Sequence, residues 1–364
     1  MSSKGLRREI GQLVIAGFAG HSLPDELRRL AAEFDLGGII LFARNVAEPD
    51  QVAEISRDAR GLARELPLWV STDQEGGRVA RLKSPFTVWP PMRTLGRSGD
   101  EALAERFARA LAEELRAVGI SLDFTPVLDI LTNPDNPAIG DRALAERAED
   151  VARLGAAIIR TLQAEGIAAC GKHFPGHGDT SKDSHHDLPL VEHPPDRIER
   201  VELVPFRAAV EAGVAGIMTA HLLIPSIDPE HPATLSPRIV TGMLKQGLGH
   251  PGVVFTDDIG MGAISARYGA VEATVMAITA GCDVVLMCGT DHDVQMSALE
   301  ALIHAVEDGT LPWKRVEDAL ARHRRVKERF LASPRPLPLG GAALRAVLGR
   351  DQHQAVASEM ARFA

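Results

Sequence analysis

The sequence has few cysteines, no excess of positive charge and no long apolar run, and each shortage excludes a class of protein. Its three cysteines, Cys170, Cys282 and Cys288, form no CxxC pair and are typical of a reducing cytoplasm. The formal net charge of −9 argues against a nucleic-acid surface, which requires a basic stripe. No apolar stretch is long enough to span a bilayer. These features predict a cytoplasmic protein that binds neither nucleic acid nor membrane.

The composition is that of a soluble globular protein, with 45% hydrophobic and 24% charged residues. A length of 364 residues fits one large α/β barrel or two ordinary domains. The N-terminal segment starts with basic residues and continues into the apolar stretch Leu13–Ala19. That stretch is short, is interrupted by glycine and lacks a convincing cleavage site. It therefore predicts a first strand rather than a signal peptide.

Eight short apolar segments recur along the chain with amphipathic stretches between them. Each segment shows little alternation, as expected for parallel strands that are buried on both faces. The predicted strands are Leu13–Gly17, Gly38–Phe42, Leu68–Thr72, Ser121–Pro126, Ile167–His173, Gly216–His221, Gly252–Asp257 and Asp283–Cys288. The stretches Glu101–Val118, Glu146–Glu165 and Arg197–Ala212 have the apolar spacing of helices.

This alternation of strand and helix predicts an α/β fold, a closed (β/α)₈ barrel of the TIM type in a single domain. An open doubly wound sheet is the alternative, but no G-x-G-x-x-G loop follows the first strand. After the barrel, the stretch SPRPLPLGG from Ser333 is rich in proline and glycine. We therefore assign residues 1–333 to the barrel and 334–364 to a linker and a helical tail. The sequence leaves three alternatives open for the tail: it caps the barrel, it contacts another subunit, or its helix frays.

Polar residues stand where several predicted strands end. Asp73 follows the third strand, Lys172 and His173 end the fifth, His221 ends the sixth and Asp257 ends the seventh. Barrel enzymes build their sites at the carboxyl-terminal ends of the strands. The pattern therefore predicts one pocket at that rim.

The segment KHFPGHGDTSKDSH, residues 172–185, is dense in imidazole and carboxylate groups. Its proline and glycines favour a shaped loop, and a loop this rich in titratable groups is typical of an active site. Within it, Asp183 lies two residues before His185, so that the carboxylate can accept the ring N–H and hold the imidazole as a general acid or base. Alternatively, the polar groups of the loop cap one another.

Two further sets of residues permit a structural or a chemical interpretation. Asp257 and Asp258 end a very apolar strand, and Asp257 suits either a nucleophile or the N-cap of a helix over Gly260–Tyr268. The turn from Asp73 to Arg81 suits either hydroxyl binding or a structural salt bridge. The irregular loop that ends at Arg142 likewise projects one arginine.

A metal site is an alternative for the histidine-rich loop. Its candidate ligands are His173, His177, Asp179, His185 and His186. Neither H-E-x-x-H nor another recognised ligand spacing is present, and the Pro-Gly-x-Gly context prevents the helix that two histidines four apart would need. The sequence therefore predicts no metal.

Five segments of the sequence together resemble glycoside hydrolase family 3. They are KHFPGHGDTSKDSH, DQEGGRVAR, the GDR of 140–142, MTAHLLIP at 218–225 and TDDIGMGAI at 256–264. The resemblance covers about residues 10 to 330, and it is to the bacterial β-N-acetylglucosaminidase branch, which acts in peptidoglycan recycling. It implies that Asp257 is the nucleophile and that His185, partnered by Asp183, is the acid/base. It implies sugar binding by Asp73, Arg81, Arg142, Lys172 and His173. The sequence departs from the family pattern directly after Arg142 and at Ile259-Gly260.

The resemblance implies a retaining, exo-acting β-N-acetylglucosaminidase that needs no cofactor and acts on a small oligosaccharide or muropeptide. With 4% aromatic residues and one tyrosine, a short pocket is expected rather than a long stacking groove. Because an imidazole acid/base does not repel anions, a β-N-acetylglucosaminide phosphorylase is the first alternative. A metal-dependent hydrolase and a non-catalytic sugar-binding barrel are the others. The sequence leaves the oligomeric state open.

Overall fold

Eight parallel strands close into a barrel in a computed structural model of the protein, which describes residues 3–64, 67–185, 187–331 and 337–364. The barrel strands are β1 (Val14–Ala16), β2 (Gly38–Leu41), β3 (Trp69–Thr72), β6 (Leu122–Asp123), β7 (Ala168–Phe174), β8 (Gly216–Thr219), β9 (Val253–Asp258) and β10 (Val284–Met287). Around the barrel they follow the order β1-β10-β9-β8-β7-β6-β3-β2. The (β/α)₈ barrel and all eight predicted strands are confirmed. A short antiparallel hairpin, β4 (Gln74–Gly76) and β5 (Val79–Ala80), follows β3.

Helices surround the barrel and cover its outer face. They are α1 (Ser3–Gly11), α2 (Asp25–Phe34), α3 (Pro49–Leu62), α4 (Met92–Ser98), α5 (Glu101–Ala117), α6 (Ala148–Ala164), α7 (Pro195–Arg200), α8 (Val204–Glu211), α9 (Gly262–Tyr268), α10 (Ala270–Ala280), α11 (His292–Glu307), α12 (Trp313–Leu331), α13 (Gly341–Arg345) and α14 (Asp351–Ala361). Short 3₁₀ turns occupy Ala43–Asn45, Gly140–Arg142 and Ala233–Leu235, and Arg238–Gly247 is π-helical. Among the described residues, no helix is both long enough and apolar enough to cross a bilayer.

The helix predicted over Arg197–Ala212 is wrong as a single element, because the structure divides it into α7 and α8. Pro205 lies at the start of α8. A proline has no N–H to donate and is tolerated in the first turn of a helix, whereas in a helix interior it breaks the hydrogen-bond ladder. The proline therefore begins a new helix rather than continuing the previous one.

The barrel interior is a packed apolar core. Trp69, Phe124 and Phe255 are buried there, and the rings of Phe124 and Phe255 meet edge to face. The indole N–H of Trp69 donates to Nε2 of His323 in α12 over 2.7 Å, so even its polar atom is satisfied. Because side chains fill the barrel, ligands are accommodated at its mouth rather than along its axis.

The C-terminal residues pack on the barrel's outer helices. Glu114 of α5 accepts the backbone N–H of Gly349 over 2.8 Å, and its Oε1 lies 3.0 Å from Nδ1 of His353 in α14. Arg106 of α5 forms a two-pronged ion pair with Glu359 of α14. The predicted helical tail is therefore present and covers α5. The proposed boundary at 333/334 falls at residues 332–336, outside the described part of the chain.

Candidate active site

A cavity of about 480 Å³ opens at the carboxyl-terminal ends of the barrel strands. Small-molecule sites are commonly concave and of this size. All eight predicted site residues border it: Asp73, Arg81, Arg142, Lys172, His173, Asp183, His185 and Asp257. They come from distant parts of the sequence and are brought together because parallel strands end at one rim. The predicted pocket is therefore present.

Its deep end is a network of buried ion pairs. The ammonium of Lys172 lies 2.8 Å from Asp73 and 2.6 Å from Glu75. Arg142 binds both carboxylate oxygens of Glu75, over 2.8 and 2.9 Å, and Arg81 lies 3.1 Å from Asp73. This bidentate, shared arrangement fixes the directions in which the groups can bind a ligand.

The charges of this network persist across the physiological pH range. Burial alone would favour the neutral forms, but Lys172 and Arg81 hold the pKa of Asp73 below its ordinary value. In the same way, Arg142 and Lys172 lower the pKa of Glu75 against the effect of burial. The two carboxylates raise the pKa of the buried Lys172 in return. The deep end therefore offers fixed charged donors and acceptors, which suit the hydroxyl groups of a sugar.

His173 is oriented by a carboxylate that sequence reasoning missed. Asp129, which is fully buried, lies 2.6 Å from Nδ1 of His173 and accepts the backbone N–H of His177 over 2.6 Å. A carboxylate can only accept here, so Nδ1 of His173 carries a proton, and Nε2 lies 3.4 Å from Nη2 of Arg142. Asp129 follows the predicted strand Ser121–Pro126, and its position after a strand end was the available signal. Glu75, in the charged turn, was likewise not assigned to the site.

The predicted Asp183–His185 pair is formed. Oδ1 of Asp183 lies 2.7 Å from Nδ1 of His185 and accepts the backbone N–H of the same residue over 3.0 Å. The carboxylate fixes the proton on Nδ1, which leaves Nε2 of the imidazole to exchange a proton with a ligand. The His185 side chain is 65% exposed, so the imidazole stands at the outer end of the cavity.

The loop that carries this pair is held by contacts within the loop and to the start of α9. The ring of His177, which is buried, contacts Thr180 Oγ1 over 2.7 Å and Ser184 Oγ over 3.2 Å. The carbonyls of Ser184 and His185 accept the N–H groups of Ala263 and Gly262, over 3.2 and 3.3 Å. The last two bonds join the loop to the start of α9, a few residues after Asp257.

Asp257 and Asp258 both border the cavity, and they differ in what holds them. Oδ1 of Asp258 accepts backbone N–H groups of Gly260 and Cys288, over 3.1 and 3.0 Å. From the described part of the chain, Oδ1 of Asp257 accepts only the N–H of its neighbour Asp258, over 2.8 Å. α9 begins at Gly262 and has no side-chain cap. The N-cap alternative for Asp257 is therefore wrong, and its carboxylate faces the cavity.

Two predicted polar positions lie away from the cavity. His221 is buried, with Nδ1 2.8 Å from Thr234 Oγ1 and Nε2 2.9 Å from the Asp258 carbonyl, and burial lowers its pKa. His221 therefore supports the carboxyl-terminal end of β9 through the Asp258 carbonyl. Oδ2 of Asp179 lies 2.5 Å from Nε2 of His193, which follows the loop in the sequence.

No three His, Cys, Asp or Glu side chains of the described residues are grouped as metal ligands would be. His173 and His185 are each committed through Nδ1 to a carboxylate. The remaining histidine of the metal alternative, His186, lies outside the described residues.

Comparison with known proteins gives one family. Residues 5–326 match the family described as "Glycosyl hydrolase family 3 N terminal domain". A β-hexosaminidase of Stenotrophomonas maltophilia (strain K279a) is 40% identical over 334 residues, which cover 88% of this chain and 98% of that protein. A solved glycoside hydrolase family 3 β-N-acetylglucosaminidase from Paenibacillus sp. str. FPU-7 superposes with a TM-score of 0.94 at 43% identity, covering 100% of this chain and 69% of that one.

A third relative is longer than this chain. Beta-hexosaminidase A of Pseudoalteromonas piscicida is 34% identical over 366 residues, and the match covers 93% of this chain but 60% of that protein. The barrel and the charged cavity at its mouth, together with these matches, define a glycoside hydrolase. The chain belongs to glycosyl hydrolase family 3.

Proposed function

We propose that the protein is a retaining, exo-acting β-N-acetylglucosaminidase that releases terminal N-acetylglucosamine from small oligosaccharides through a covalent glycosyl-aspartate. The observation that carries this proposal is the Asp183–His185 pair, which borders the same cavity as Asp257. The names of the family relatives, β-hexosaminidase and β-N-acetylglucosaminidase, support the choice of sugar.

The mechanism follows from the two ends of the cavity. Asp73, Arg81, Arg142, Lys172 and His173 hold the terminal sugar at the deep end, and Asp257 attacks its anomeric carbon. His185 donates the Nε2 proton to the departing oxygen as that bond breaks. In the second step the neutral imidazole takes a proton from water, and the water displaces Asp257 with net retention. The Asp183 carboxylate stabilises the imidazolium form of His185, which is present before the first step and again after the second.

The test is release of nitrophenol from p-nitrophenyl β-N-acetylglucosaminide by the wild type and by Asp257→Gly. We expect the variant to lose at least about 10³-fold in kcat, because the covalent route is removed. Azide should restore turnover of Asp257→Gly by entering the vacated space and giving the α-glycosyl azide. His185→Ala with azide should instead give the β-azide, since azide then replaces water in the second step. Near wild-type turnover of Asp257→Gly without azide would contradict the assignment.

A β-N-acetylglucosaminide phosphorylase is the second candidate, and the identity of the acid/base favours keeping it. A histidine at position 185 does not repel an incoming phosphate as a carboxylate would. Measuring the same reaction with and without phosphate separates the two activities, because phosphorolysis yields a sugar 1-phosphate and hydrolysis yields the free sugar. A place in peptidoglycan recycling and a cytoplasmic location stay predictions that accompany either activity.

A further inference from the structure

Asp73 and Arg81, two members of the charged network at the deep end, stand at the two open ends of one short hairpin. Asp73 directly precedes β4, and Arg81 directly follows β5. The two strands are three and two residues long and pair antiparallel. A two-stranded hairpin is at best marginally stable through its own backbone bonds. The distance between Asp73 and Arg81 therefore depends on further contacts.

The side chain of Gln74, the first residue of β4, supplies these contacts. Gln74 is 2% exposed, and its Oε1 accepts the backbone N–H groups of Arg81 and Leu82, over 2.8 and 2.9 Å. Its Nε2 donates to the carbonyl of Leu82 over 2.9 Å. One buried amide thus spans the open end of the hairpin and holds the main chain of Arg81.

Asp123 ties the same glutamine to the barrel. It ends β6, is fully buried, and accepts the backbone N–H of Gln74 through Oδ1 over 2.9 Å. Because β6 lies beside β3 in the sheet, this bond joins one barrel strand to the chain that leaves its neighbour. The main chain directly after Asp73 is therefore held to the barrel by Asp123.

The position of this main chain decides how the charged network meets a ligand. Asp73 lies 2.8 Å from Lys172 and 3.1 Å from Arg81, and all three residues border the cavity. Nε of Arg81 is buried and has no hydrogen-bond partner among the described residues. The direction of this guanidinium is therefore set by Asp73, by the Phe42 ring at 5.1 Å and by the backbone of Arg81 itself. Misplacing such a group by about 1 Å can cost about 10²-fold in rate.

We propose that Gln74 and Asp123 are positioning residues for sugar binding, which hold Asp73 and Arg81 in the places where they meet the terminal sugar. Gln74 and Asp123 do not border the cavity themselves, so each acts through its neighbours rather than by touching the ligand. The inference rests on the function proposed above, because that function places the sugar against Asp73 and Arg81.

The first experiment removes the amide of Gln74 with little change in side-chain length. We expect Gln74→Met to lower kcat/KM for p-nitrophenyl β-N-acetylglucosaminide about 10- to 100-fold, because Arg81 and Asp73 lose their fixed spacing. Melting temperatures are measured alongside. If Gln74→Met retains the kcat/KM of the wild type, the proposal is overturned.

Gln163→Met is the matched control. Gln163 of α6 is a buried glutamine whose Nε2 donates to the carbonyl of Gly213 over 2.9 Å and whose Oε1 accepts the N–H of Ala215 over 2.6 Å. These partners precede β8, at the end of the barrel opposite the cavity. We expect Gln163→Met to lower the melting temperature and to keep kcat/KM within about twofold. Equal losses of kcat/KM in both variants would indicate a structural role and overturn the proposal.

A double-mutant cycle shows whether Gln74 acts through Arg81. In an Arg81→Ala background the residue to be positioned is already truncated, so Gln74→Met should lower kcat/KM by a clearly smaller factor than it does in the wild type. Purely additive losses would show that Gln74 acts independently of Arg81 and would contradict the proposal.

Asp123 offers rescue by a conservative variant, and it keeps the proposal testable if Gln74→Met does not fold. Asp123→Asn retains an acceptor oxygen for the N–H of Gln74 and should keep kcat/KM within about threefold, whereas Asp123→Ala removes the acceptor and should lose about tenfold or more. Equal activity of these two variants would overturn the role of Asp123. A wild type that neither hydrolyses the substrate nor binds N-acetylglucosamine in calorimetric titration would overturn the proposed function, and this inference with it.

Discussion

At the scale of single residues, the Asp183–His185 pair makes the most specific kinetic prediction. Because the imidazole protonates the departing oxygen, His185→Ala should impair substrates with basic leaving groups more than p-nitrophenyl substrates, whose leaving group needs little protonation. We expect a difference of about 10²-fold between the alkyl and nitrophenyl glycosides, measured as kcat/KM. Asp183→Asn should also lower kcat/KM, since the imidazole loses the carboxylate that fixes its Nδ1 proton. Equal losses on both substrates would rule out an acid role for His185.

Asp123, beneath the deep end of the cavity, makes a prediction about stability. Burial raises its pKa to about 7. Its Oδ1 accepts the Gln74 N–H over 2.9 Å, and its Oδ2 has no hydrogen-bond partner among the residues that the structure describes. Its pKa in the unfolded chain is about 4. Between these values the folded state binds a proton that the unfolded state lacks, so this group makes stability fall as pH rises from about 4 to about 7.

Asp123→Asn should remove that dependence. The free energy of unfolding, measured by urea denaturation, should favour the variant over the wild type more at pH 8 than at pH 5. Asp135→Asn, which alters an exposed carboxylate, should leave the difference between the two pH values unchanged. If the free energies of unfolding of the wild type and of Asp123→Asn changed by the same amount between pH 5 and pH 8, the prediction would be contradicted.

Most of the predicted site residues could be found from the sequence because they stand after a strand or in one dense loop, whereas Arg81 and Arg142 were assigned through the family resemblance. Asp129 and Glu75 could not be assigned, because their importance depends on which group they face in three dimensions. Only the structure shows that Asp129 lies beside Nδ1 of His173 and that Glu75 binds Arg142.

At the scale of secondary-structure elements, the packing of α14 on α5 predicts a stability effect separate from activity. Glu114, which is buried, accepts from Thr87, Gly349 and His353. Glu114→Ala leaves these donors without their acceptor, and we expect a loss of about 2–4 kcal/mol in the free energy of unfolding. The control Glu54→Ala, at an exposed position of α3, should cost less than about 0.5 kcal/mol.

Turnover by Glu114→Ala at a permissive temperature should match that of the wild type, because α5 and α14 lie outside the cavity. A large loss of kcat with an unchanged free energy of unfolding would contradict a role of Glu114 in stability alone. The comparison also tests whether the tail acts only as a cover for α5.

Strand positions were predictable because buried parallel strands have continuous apolar runs, whereas their lengths were not. The segment Ser121–Pro126 was predicted as six residues, whereas the regular strand β6 spans Leu122–Asp123. Beyond it, the carbonyls of Thr125 and Pro126 still accept N–H groups of β7, over 3.0 and 3.1 Å, but Pro126 has no N–H to donate to the other neighbouring strand. The apolar pattern reports burial, and it does not show where regular strand geometry ends.

At the scale of the whole molecule, the arrangement of charges predicts insensitivity to chelators. The cavity carboxylates Asp73 and Glu75 are bound to cationic side chains, and the histidines 173 and 185 are each bound to a carboxylate. A divalent ion would have to displace these partners. EDTA should therefore leave kcat/KM for p-nitrophenyl β-N-acetylglucosaminide unchanged within about twofold. Inactivation by EDTA that zinc reverses would restore the metal-hydrolase alternative.

Barrel closure explains why a set of individually ambiguous signals became one site. Asp73 and Asp257 are separated by about half of the chain, yet the ends of β3 and β9 open onto the same rim. The sequence motifs supply the residue types, and the parallel register supplies their proximity. Neither would suffice alone to define a pocket.

The two hydrogen bonds from Gly262 and Ala263 to the carbonyls of His185 and Ser184 have a mechanical consequence. They tie the proton donor to the helix that begins five residues after Asp257. An outward movement of the loop would break these bonds and release the start of α9. Under the proposed mechanism, the movement that would admit a glycan would therefore also expose the covalent intermediate to water and competing alcohols, so loop closure and choice of acceptor would be coupled.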